Sequence, residues 1–226
     1  MAKMGDDSFA ELKKKEKVSN DPRLNEYVRC LSIPLLKAAG HNPANWEIRV
    51  FVNNTPNAFA LPGNNIGVHT GMINLVQNQH QLAAVIGHEI GHVIADHGNE
   101  RVSQNMATQA GLFAASLFLG TSAKPEDRLI LAGLGLGAQV GILLPFSRSH
   151  EEESDKLGIQ YMAQAGFDPR EASKLWEVMK AKSKGGGPEF LSTHPSNDSR
   201  IKYLRKYAQK FMATYQAAPV KPLCHL

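Results

Sequence analysis

Residues 79–98 read QHQLAAVIGHEIGHVIADHG and contain the strongest helical pattern in the chain. Two histidines, His88 and His92, stand four residues apart in this pattern, with Glu89 beside the first. Residues four apart lie on one face of a helix, so both imidazoles can reach a single ion while Glu89 reaches a water at that ion. A chain of this length matches H-E-x-x-H by chance in about one case in fifty. The segment therefore predicts a metal-binding helix, unless both histidines are ordinary surface or core residues.

A second helical segment, residues 149–165, carries two carboxylates at the same spacing. Glu151 and Asp155 share a helix face because they are four residues apart. One carboxylate can bind the metal, and the other can accept a hydrogen bond from a ligand histidine and so fix the orientation of that ring. The alternative is an acidic first turn that complements the helix dipole, with Glu152 and Lys156 as a surface ion pair. Together with the histidine pair, these residues favour the metal site.

Composition indicates one globular domain. The chain has 226 residues, of which 42% are apolar and 20% are charged, and this is enough to bury a sizeable core. We predict a domain over residues 21–215, an N-terminal extension over residues 1–20 and a C-terminal tail over residues 216–226. The net charge of +4 lies largely in short lysine-rich runs typical of solvated helix faces. We see no recognised nucleic-acid-binding motif, so no nucleic-acid partner is expected.

The rest of the chain predicts a small sheet followed by a helical body. Residues 46–52 alternate with the period of a strand, and two short strands are predicted at residues 57–61 and 65–70. Pro22 opens a first helix that ends near Gly40. Further helices are predicted over residues 79–97, 101–119, 125–143, 149–165, 169–183 and 196–215, with Gly98 capping the first of these and Gly166 the fourth. The fold class is therefore α+β and mostly helical.

The two motifs together resemble a known family. Residues 147–155 read SRSHEEESD and, after H-E-x-x-H, match the S-R-x-x-E-x-x-x-D pattern of gluzincin metallopeptidases. The resemblance is to the HtpX and CAAX-prenyl-protease-like peptidases, family M48, and extends over residues 21–207. It is nearest to soluble periplasmic members of the BepA and LoiP kind, because the membrane helices of the integral-membrane members are absent. Ser154 stands where the family usually has alanine, a change between two small residues.

The resemblance implies a zinc-dependent endopeptidase with a zincin-like metalloprotease domain and polypeptide substrates. It implies one Zn²⁺ per chain with His88, His92 and Glu151 as ligands, Glu89 as catalytic base and Asp155 as the carboxylate behind a ligand histidine. An alternative function is chaperone-like binding of unfolded polypeptides with little or latent proteolysis. A deformylase-like hydrolase is not favoured, because that class uses a cysteine as third ligand and neither Cys30 nor Cys224 has a suitable context.

The resemblance also implies where the substrate lies. In this family an edge strand of the small sheet borders the active-site cleft above the metal and pairs with the backbone of an extended peptide. On this chain the matching segment is residues 57–71, with the candidate substrate-binding residues Asn57, Ala58, Phe59, Gly63 and Ile66. The alternative is an ordinary hairpin, and we predict His69 to be a surface residue.

Two residues near the C-terminal end complete the predicted site. His194 precedes Pro195, which is by itself the pattern of a turn residue. In the periplasmic members, the matching histidine approaches the zinc from the opposite side, and the matching arginine lies near the carboxylate behind the ligand histidine. His194 is therefore expected either to donate a hydrogen bond to the oxyanion or to occupy the open zinc position and hold the enzyme inactive. Arg200 either belongs to the site or pairs with Asp155 for stability.

Localisation is predicted from the resemblance and the cysteines. Residues 1–7 lack the apolar core of a secretory signal, which leaves a cytosolic protein or the mature part of an exported one. The resemblance favours the periplasm or cell envelope, where a disulfide between Cys30 and Cys224 is sensible; two inert thiols are the alternative. Apolar residues 129–146 are predicted to be a buried helix or hairpin arm rather than a membrane span. Residues 111–146 are left open as core, lid, membrane-surface contact or oligomer contact.

Overall fold

The computed structural model of this chain describes residues 1–104, 107, 146–182, 190–195 and 198–226. These residues form a small sheet against a helical body, so the prediction of a mostly helical α+β domain is confirmed. The helices are α1 (Ala2–Lys15), α2 (Pro22–Ala38), α3 (Thr70–Leu75), α4 (Gln79–Ile94), α5 (Arg148–Gln164), α6 (Glu171–Lys182), α7 (Phe190–Thr193), α8 (Asp198–Lys210) and α9 (Met212–Ala217).

The sheet has three strands, β1 (Glu47–Phe51), β2 (Ala58–Leu61) and β3 (Asn65–His69), in the order β1-β3-β2. The central strand β3 is parallel to β1 and antiparallel to β2. In the turn that joins β2 to β3, Gly63 and Asn64 have φ values of 92° and 68°, which glycine and asparagine adopt at the lowest cost. Among the described residues β2 pairs with one strand only, so it forms an edge of the sheet, and its open side faces α4.

Glycines set the distance between α4 and α5, which make the most extensive helix–helix contact in the described structure. A Cβ atom added to Gly158 would lie 2.9 Å from the backbone nitrogen of His88. One added to Gly91 would lie 2.7 Å from Oγ of Ser154, which itself donates a hydrogen bond to the carbonyl of His88. Larger side chains at these glycines would push the two helices apart. The glycines therefore allow the helix with the histidine pair to approach the helix with Glu151.

Only some of the ends predicted for the long helices agree with the structure. Helix α4 ends at Ile94 and not at residue 97, because Asp96 adopts the left-handed conformation with φ 57°. The carbonyl of Asp96 then accepts hydrogen bonds from a new helical stretch, residues 97–104. The prediction that Gly98 caps α4 is therefore wrong. Gly166 follows α5 with φ 81°, as predicted.

The predicted single helix over residues 196–215 is divided in two. Phe211 leaves the helical conformation, with φ −104° and ψ 6°, and separates α8 from α9. Other predicted features lie outside the described residues. They are most of the helix over residues 101–119, the helix over residues 125–143, the apolar stretch of residues 111–146 except Phe146, and the loop of residues 184–188. Within the described residues, no helix has the length and apolar character needed to cross a membrane.

The two ends of the chain pack onto the domain. The ring of Phe9 in α1 is buried and lies 5.9 Å from Phe51 and 6.2 Å from Phe59, so α1 covers one side of the sheet. Cys224 in the tail forms a disulfide with Cys30 in α2, with a Cα–Cα distance of 5.8 Å, which confirms the predicted pair. The domain boundaries at residues 20 and 215 stay a prediction.

Candidate metal centre

Four buried side chains converge between α4, α5 and the residue after α7: His88, His92, Glu151 and His194. One nitrogen or oxygen atom from each lies within 4.8 Å of the others. Nε2 of His88 lies 3.0 Å from Nε2 of His92, and the Glu151 carboxylate lies 3.3 Å from His92 and 3.6 Å from His88. Nδ1 of His194 lies 2.9 Å from Oε1 of Glu151 and 3.2 Å from Nε2 of His88. Three imidazole nitrogens and a carboxylate therefore face one position.

Local sequence positions these groups. Asn78 caps α4, because its Oδ1 accepts the backbone N–H groups of His80 and Gln81. The histidine pair begins almost three turns later, on the face toward α5. Ser147 caps α5, and its Oγ accepts the backbone N–H of His150. Glu151 is thereby held in the first turn of α5. Both ends are typical capping arrangements for helices.

The proton positions around the cluster fit a cation. Oδ1 of Asp155 lies 2.9 Å from Nδ1 of His88. Because a carboxylate only accepts hydrogen bonds, Nδ1 carries the proton, and the lone pair of Nε2 faces the cluster. Nε2 of His92 and the oxygens of Glu151 face the same position. Lone pairs that converge in this way repel one another unless a positive ion lies between them, and imidazole nitrogens with a carboxylate are donors that zinc accepts.

Burial and charge shift the ionisation of these groups. Burial lowers the pKa of His92 well below its ordinary value, so this ring is neutral and has a free lone pair. Burial opposes ionisation of Glu151, but hydrogen bonds from His194 and His92 outweigh it, and the pKa of Glu151 is lowered. For Glu89 burial is the largest effect, and its pKa is raised. A carboxylate with a raised pKa suits proton transfer near neutral pH.

Glu89 lies beside the cluster but does not point at the shared position. Its Oε1 is 3.4 Å from Nε2 of His194, and its Oε2 accepts the backbone N–H of Ala60 in β2 at 3.4 Å. Its side chain therefore stands between the converging nitrogens and the edge of the sheet. A proton acceptor in that place can serve a reaction between the metal position and a group lying along β2.

The residues that build this cluster fall inside a match to a protein-family model. The model is that of Peptidase family M48, and it matches residues 22–208. The chain belongs to peptidase family M48. The resemblance identified from the two motifs is thereby confirmed, and the chain carries a metallopeptidase domain of this family.

Curated relatives include mitochondrial and bacterial M48 proteins. The mitochondrial metalloendopeptidase OMA1 of Schizosaccharomyces pombe is 35% identical over 183 residues, which are 80% of this chain and 52% of that protein. Metalloendopeptidase OMA1 of Bos taurus is 34% identical, over 81% of this chain and 36% of that protein. The β-barrel assembly-enhancing protease of Escherichia coli K12 is 30% identical, over 92% of this chain and 43% of that protein. The chain thus spans about half, or less, of the length of these relatives.

A cleft of about 240 Å³ in the M48 domain connects the cluster to the edge strand. The predicted residues Asn57, Ala58 and Phe59 line one side, and Glu89 and His194 line another. Within the described part of the chain β2 pairs with β3 along one side only. Its other side presents backbone groups toward this cleft, as the hydrogen bond from the backbone N–H of Ala60 to Glu89 demonstrates. The structure therefore brings the edge strand, Glu89 and two members of the cluster, His92 and His194, into one cavity.

Three other residues of the strand segment lie elsewhere than expected. Gly63 lies in the turn against α1, and the side chain of Ile66 is buried in the core beneath β3, so neither is among the residues that line the cleft. The predicted substrate-binding roles of Gly63 and Ile66 stay a prediction, and the positions of these two residues do not support it. The prediction that His69 is a surface residue is wrong: it is 3% exposed, and its Nδ1 lies 3.2 Å from the carbonyl oxygen of Thr55. The rings of Phe51 and Phe59 pack against its ring, with centroid distances of 6.2 Å and 6.1 Å.

Asp155 and Arg200 form a buried pair behind the cluster. Nε and Nη2 of Arg200 each lie 2.8 Å from a different oxygen of Asp155, and Nη1 lies 2.5 Å from Oε2 of Glu151. The guanidinium also lies 3.8 Å from the ring centroid of Trp176. Arg200 is not among the residues lining the cleft that contains Glu89. The structure therefore places Arg200 where it orients two carboxylates of the site, and not where it would touch a substrate in that cleft.

The sequence did not reveal the residues that surround His92. Nδ1 of His97 lies 2.9 Å from Nδ1 of His92, and the ring of Phe146 stacks on His92 at 3.9 Å. The guanidinium of Arg101 lies 4.1 Å from the centroid of Phe146. His97 stands five residues after His92, a spacing that no helical pattern marks, and Phe146 reaches the site through tertiary packing. Aspartate is one of the few residue types that adopt the left-handed conformation, as Asp96 does here. A helix end at Asp96 is the local signal that would have indicated that His97 turns back toward His92.

Proposed function

We propose that this chain is a zinc-dependent endopeptidase that hydrolyses internal peptide bonds of unfolded or misfolded polypeptides. The observation that carries the proposal is that two members of the converging cluster, His92 and His194, line one cleft together with the buried carboxylate of Glu89 and the edge strand β2. Membership of family M48 supports the same activity. Because the chain spans only part of its relatives, the activity, the substrate and the compartment are proposals for the protein as a whole.

Zinc is the metal that the donor set favours. Two imidazoles and one carboxylate on helices α4 and α5 are the usual three protein ligands of a catalytic zinc, with one position left for water or substrate. When bound, zinc supplies a Lewis acid that makes water a nucleophile near neutral pH. The ligands are His88, His92 and Glu151.

The protein's own groups perform the proton transfers. Glu89 accepts a proton from the attacking water as the peptide carbonyl is attacked, and then delivers it to the nitrogen of the leaving amine. Its raised pKa and its place between the cluster and β2 suit both steps. Asp155 holds Nδ1 of His88, and Arg200 holds both Asp155 and Glu151, so the ligand geometry is fixed before substrate arrives.

His194 has two candidate roles, and its position favours one of them. Its Nδ1 faces Glu151 and His88, so it occupies a fourth position among the converging ligands. In this arrangement His194 fills the place that water or substrate needs, and the enzyme is latent. A swing of His194 out of that position would open the site and leave its ring free to donate to the oxyanion.

Substrate is expected to bind as an added strand. The open edge of β2 offers backbone groups to an extended chain, and main-chain hydrogen bonds are largely independent of sequence. A folded protein has few free segments to pair in this way, whereas an unfolded polypeptide has many. This argument supports a role in protein quality control.

The proposed compartment is the periplasm or cell envelope. The Cys30–Cys224 disulfide calls for an oxidising environment, and one relative is named for β-barrel assembly. Other relatives are named as mitochondrial, so the domain occurs in more than one compartment. Fractionation of the native host, with alkylation of thiols before lysis, tests this: an envelope protein with no free thiol is expected, and a cytosolic protein with two alkylated thiols would contradict it.

A second candidate function is chaperone-like binding of unfolded polypeptides. The observation that favours it is that Nδ1 of His194 faces Glu151 and His88, while β2 pairs with one strand only among the described residues. Such a protein would hold an extended chain without cutting it.

Glu89→Gln separates the two functions. We expect wild type to bind one zinc and to degrade unfolded casein, and the variant to bind one zinc and casein without cleavage. Metal content is measured by elemental analysis, and cleavage by gel electrophoresis and mass spectrometry. Equal cleavage by both proteins would contradict the assignment of Glu89. Zinc-loaded wild type that suppresses casein aggregation without cutting it would support the chaperone.

A further inference from the structure

His97 is a buried histidine that the mechanism above does not use. It is 1% exposed, and its two ring nitrogens face different partners. Nδ1 lies 2.9 Å from Nδ1 of His92, and Nε2 lies 3.3 Å from Oε2 of Glu153. The chain of contacts therefore runs from a metal ligand through His97 to a carboxylate whose side chain is 62% exposed.

The contact between His92 and His97 depends on the end of α4. Two residues five apart in a continuous helix point about 140° away from each other. Here the helix stops at Ile94, and Asp96 with φ 57° turns the chain so that His97 faces back toward His92. The left-handed residue is thus a structural requirement of this pair.

The hydrogen bonds have one consistent arrangement of protons. The carboxylate of Glu153 only accepts, so Nε2 of His97 donates to it and Nδ1 of His97 has a lone pair. That lone pair accepts the proton on Nδ1 of His92, which leaves Nε2 of His92 unprotonated and directed at the cluster. On the other side of the cluster, Oδ1 of Asp155 accepts the proton on Nδ1 of His88 and leaves Nε2 of His88 unprotonated.

Among the described residues, His97 is the one hydrogen-bond partner of Nδ1 of His92, and aromatic rings surround the pair. His150 stacks on His97 at 4.4 Å with an angle of 21° between the rings, and Phe146 stacks on the face of His92 at 3.9 Å. His92 is 3% exposed, so water has little access to the pair. The described residues provide no other acceptor for the Nδ1 proton of His92. Without the acceptor at residue 97 this proton would therefore be buried and unpaired among them, which carries a cost in free energy.

We propose that His97 is a positioning residue that fixes His92 as a metal ligand through Nε2, with Glu153 fixing the ring of His97 in turn. The inference rests on the proposed zinc site. Partners of this kind are worth about 10- to 100-fold in metal affinity. His97 touches neither substrate nor metal in this assignment, and its effect is on the affinity of the site.

Zinc affinity by competition with a chromophoric chelator tests the proposal on the full chain. His97→Phe keeps an aromatic ring in the stack but has no acceptor, and is expected to raise the Kd for zinc by about 10- to 100-fold. His97→Asn places Oδ1 where Nδ1 stood and is expected to recover most of that loss. His80→Ala is the matched control: His80 is also on α4, accepts the backbone N–H of Asp168 instead, and should leave the Kd unchanged.

A spectroscopic signature and a stability measurement separate positioning from a general structural role. In zinc-loaded protein labelled with ¹⁵N-histidine, the Nδ1 proton of His92 should be protected from exchange in wild type and in His97→Asn and lost in His97→Phe. Thermal unfolding of the metal-free proteins shows whether each variant is folded. If His97→Phe does not fold, His97→Ala takes its place. An unchanged Kd in a folded variant without an acceptor would overturn the inference. Wild type that binds no zinc would overturn the proposed function instead.

Discussion

His194 lies between the converging cluster and the carboxylate of Glu89, in the place where we propose that substrate binds. Its Nδ1 is 2.9 Å from Oε1 of Glu151, and its Nε2 is 3.4 Å from Oε1 of Glu89, so one ring contacts both the converging cluster and the Glu89 carboxylate. A group in this position can block the site or assist the reaction, but not both at the same moment. The two roles predict opposite effects of removing the ring.

We expect His194→Ala to raise basal cleavage of casein by several-fold, because the variant frees the fourth ligand position. Initial rates on zinc-loaded enzyme are the measurement, with His225→Ala in the exposed tail as control. A lower rate in the His194 variant would instead assign the ring to stabilisation of the oxyanion. Zinc content should be measured in parallel, so that metal loss is not mistaken for a slower reaction.

Arg200 and Arg205 both lie on α8, and comparing them shows how much burial adds to the stability that an ion pair contributes. Arg200 is buried between two carboxylates, whereas the side chain of Arg205 is 65% exposed in its ion pair with Glu177. Removing one partner of a buried ion pair leaves an uncompensated charge, so Arg200→Ala should lower the free energy of unfolding by about 3–5 kcal/mol. Arg205→Ala should change it by less than about 0.5 kcal/mol.

Urea unfolding followed by circular dichroism compares the two arginine variants with wild type. Added zinc should offset part of the loss in Arg200→Ala, because a cation at Glu151 replaces some of the missing positive charge. Equal losses for the two variants would mean that the buried pair contributes no more than a surface pair.

The packing of α4 on α5 determines whether the ligands meet, and two glycines provide a direct comparison. A Cβ at Gly158 would lie 2.9 Å from the backbone of His88, whereas one at Gly98 would lie 3.7 Å from its nearest neighbour, an ordinary contact with Pro62. Gly158→Ala should therefore destabilise the protein by about 1–3 kcal/mol and weaken zinc binding. Gly98→Ala, also in a helical stretch, should be neutral or slightly stabilising.

Thermal unfolding and zinc titration of the two glycine variants provide the measurement. If Gly158→Ala bound zinc as tightly as Gly98→Ala, the close approach of the helices would not be needed to form the site.

Sequence patterns predicted the parts of the site that depend on local geometry. The pairs His88 with His92, and Glu151 with Asp155, meet because residues four apart share a helix face, and this needs no knowledge of the fold. His97 was missed because one left-handed residue, Asp96, ends α4 early. For aspartate the difference in free energy between the left-handed and the helical conformation is small, so the sequence does not mark where the helix ends. The end of a helix is harder to predict than its interior for this reason.

Contacts between distant segments were harder to predict. His194 meets His88 across 106 positions, and the family resemblance, rather than a physical pattern, indicated its place. His69 was assigned to the surface because nothing in its own segment shows that the rings of Phe51 and Phe59 pack against it. Phe146 stacks on His92 from a segment that separates the two motifs in the sequence.

At the scale of the whole molecule, the tail holds α2 and α4 together. The disulfide joins Cys224 to Cys30 of α2, while the backbone N–H of Cys224 donates to Oε1 of Gln79 at the start of α4. Nε2 of Gln79 in turn donates to the carbonyl of Pro222 at 3.0 Å. The tail therefore connects α2 to α4, the helix that carries His88 and His92.

Replacing both cysteines by serine should lower the free energy of unfolding by about 2–5 kcal/mol, because the disulfide closes a long loop in the unfolded chain. Denaturant unfolding with and without a thiol reductant is the measurement. The reductant should destabilise wild type and leave the double variant unchanged. A wild type that is insensitive to reductant, with full reduction verified by mass, would contradict a stabilising role for the bond.

The central claim is that His88, His92 and Glu151 hold one catalytic zinc ion. Anomalous diffraction at the zinc absorption edge, on crystals of the full chain grown with stoichiometric zinc, locates the ion directly. We expect one peak per chain, with ligand distances of about 2.0–2.2 Å to Nε2 of both histidines and to the Glu151 carboxylate. A zinc peak elsewhere, or zinc bound without Glu151, would contradict the claim.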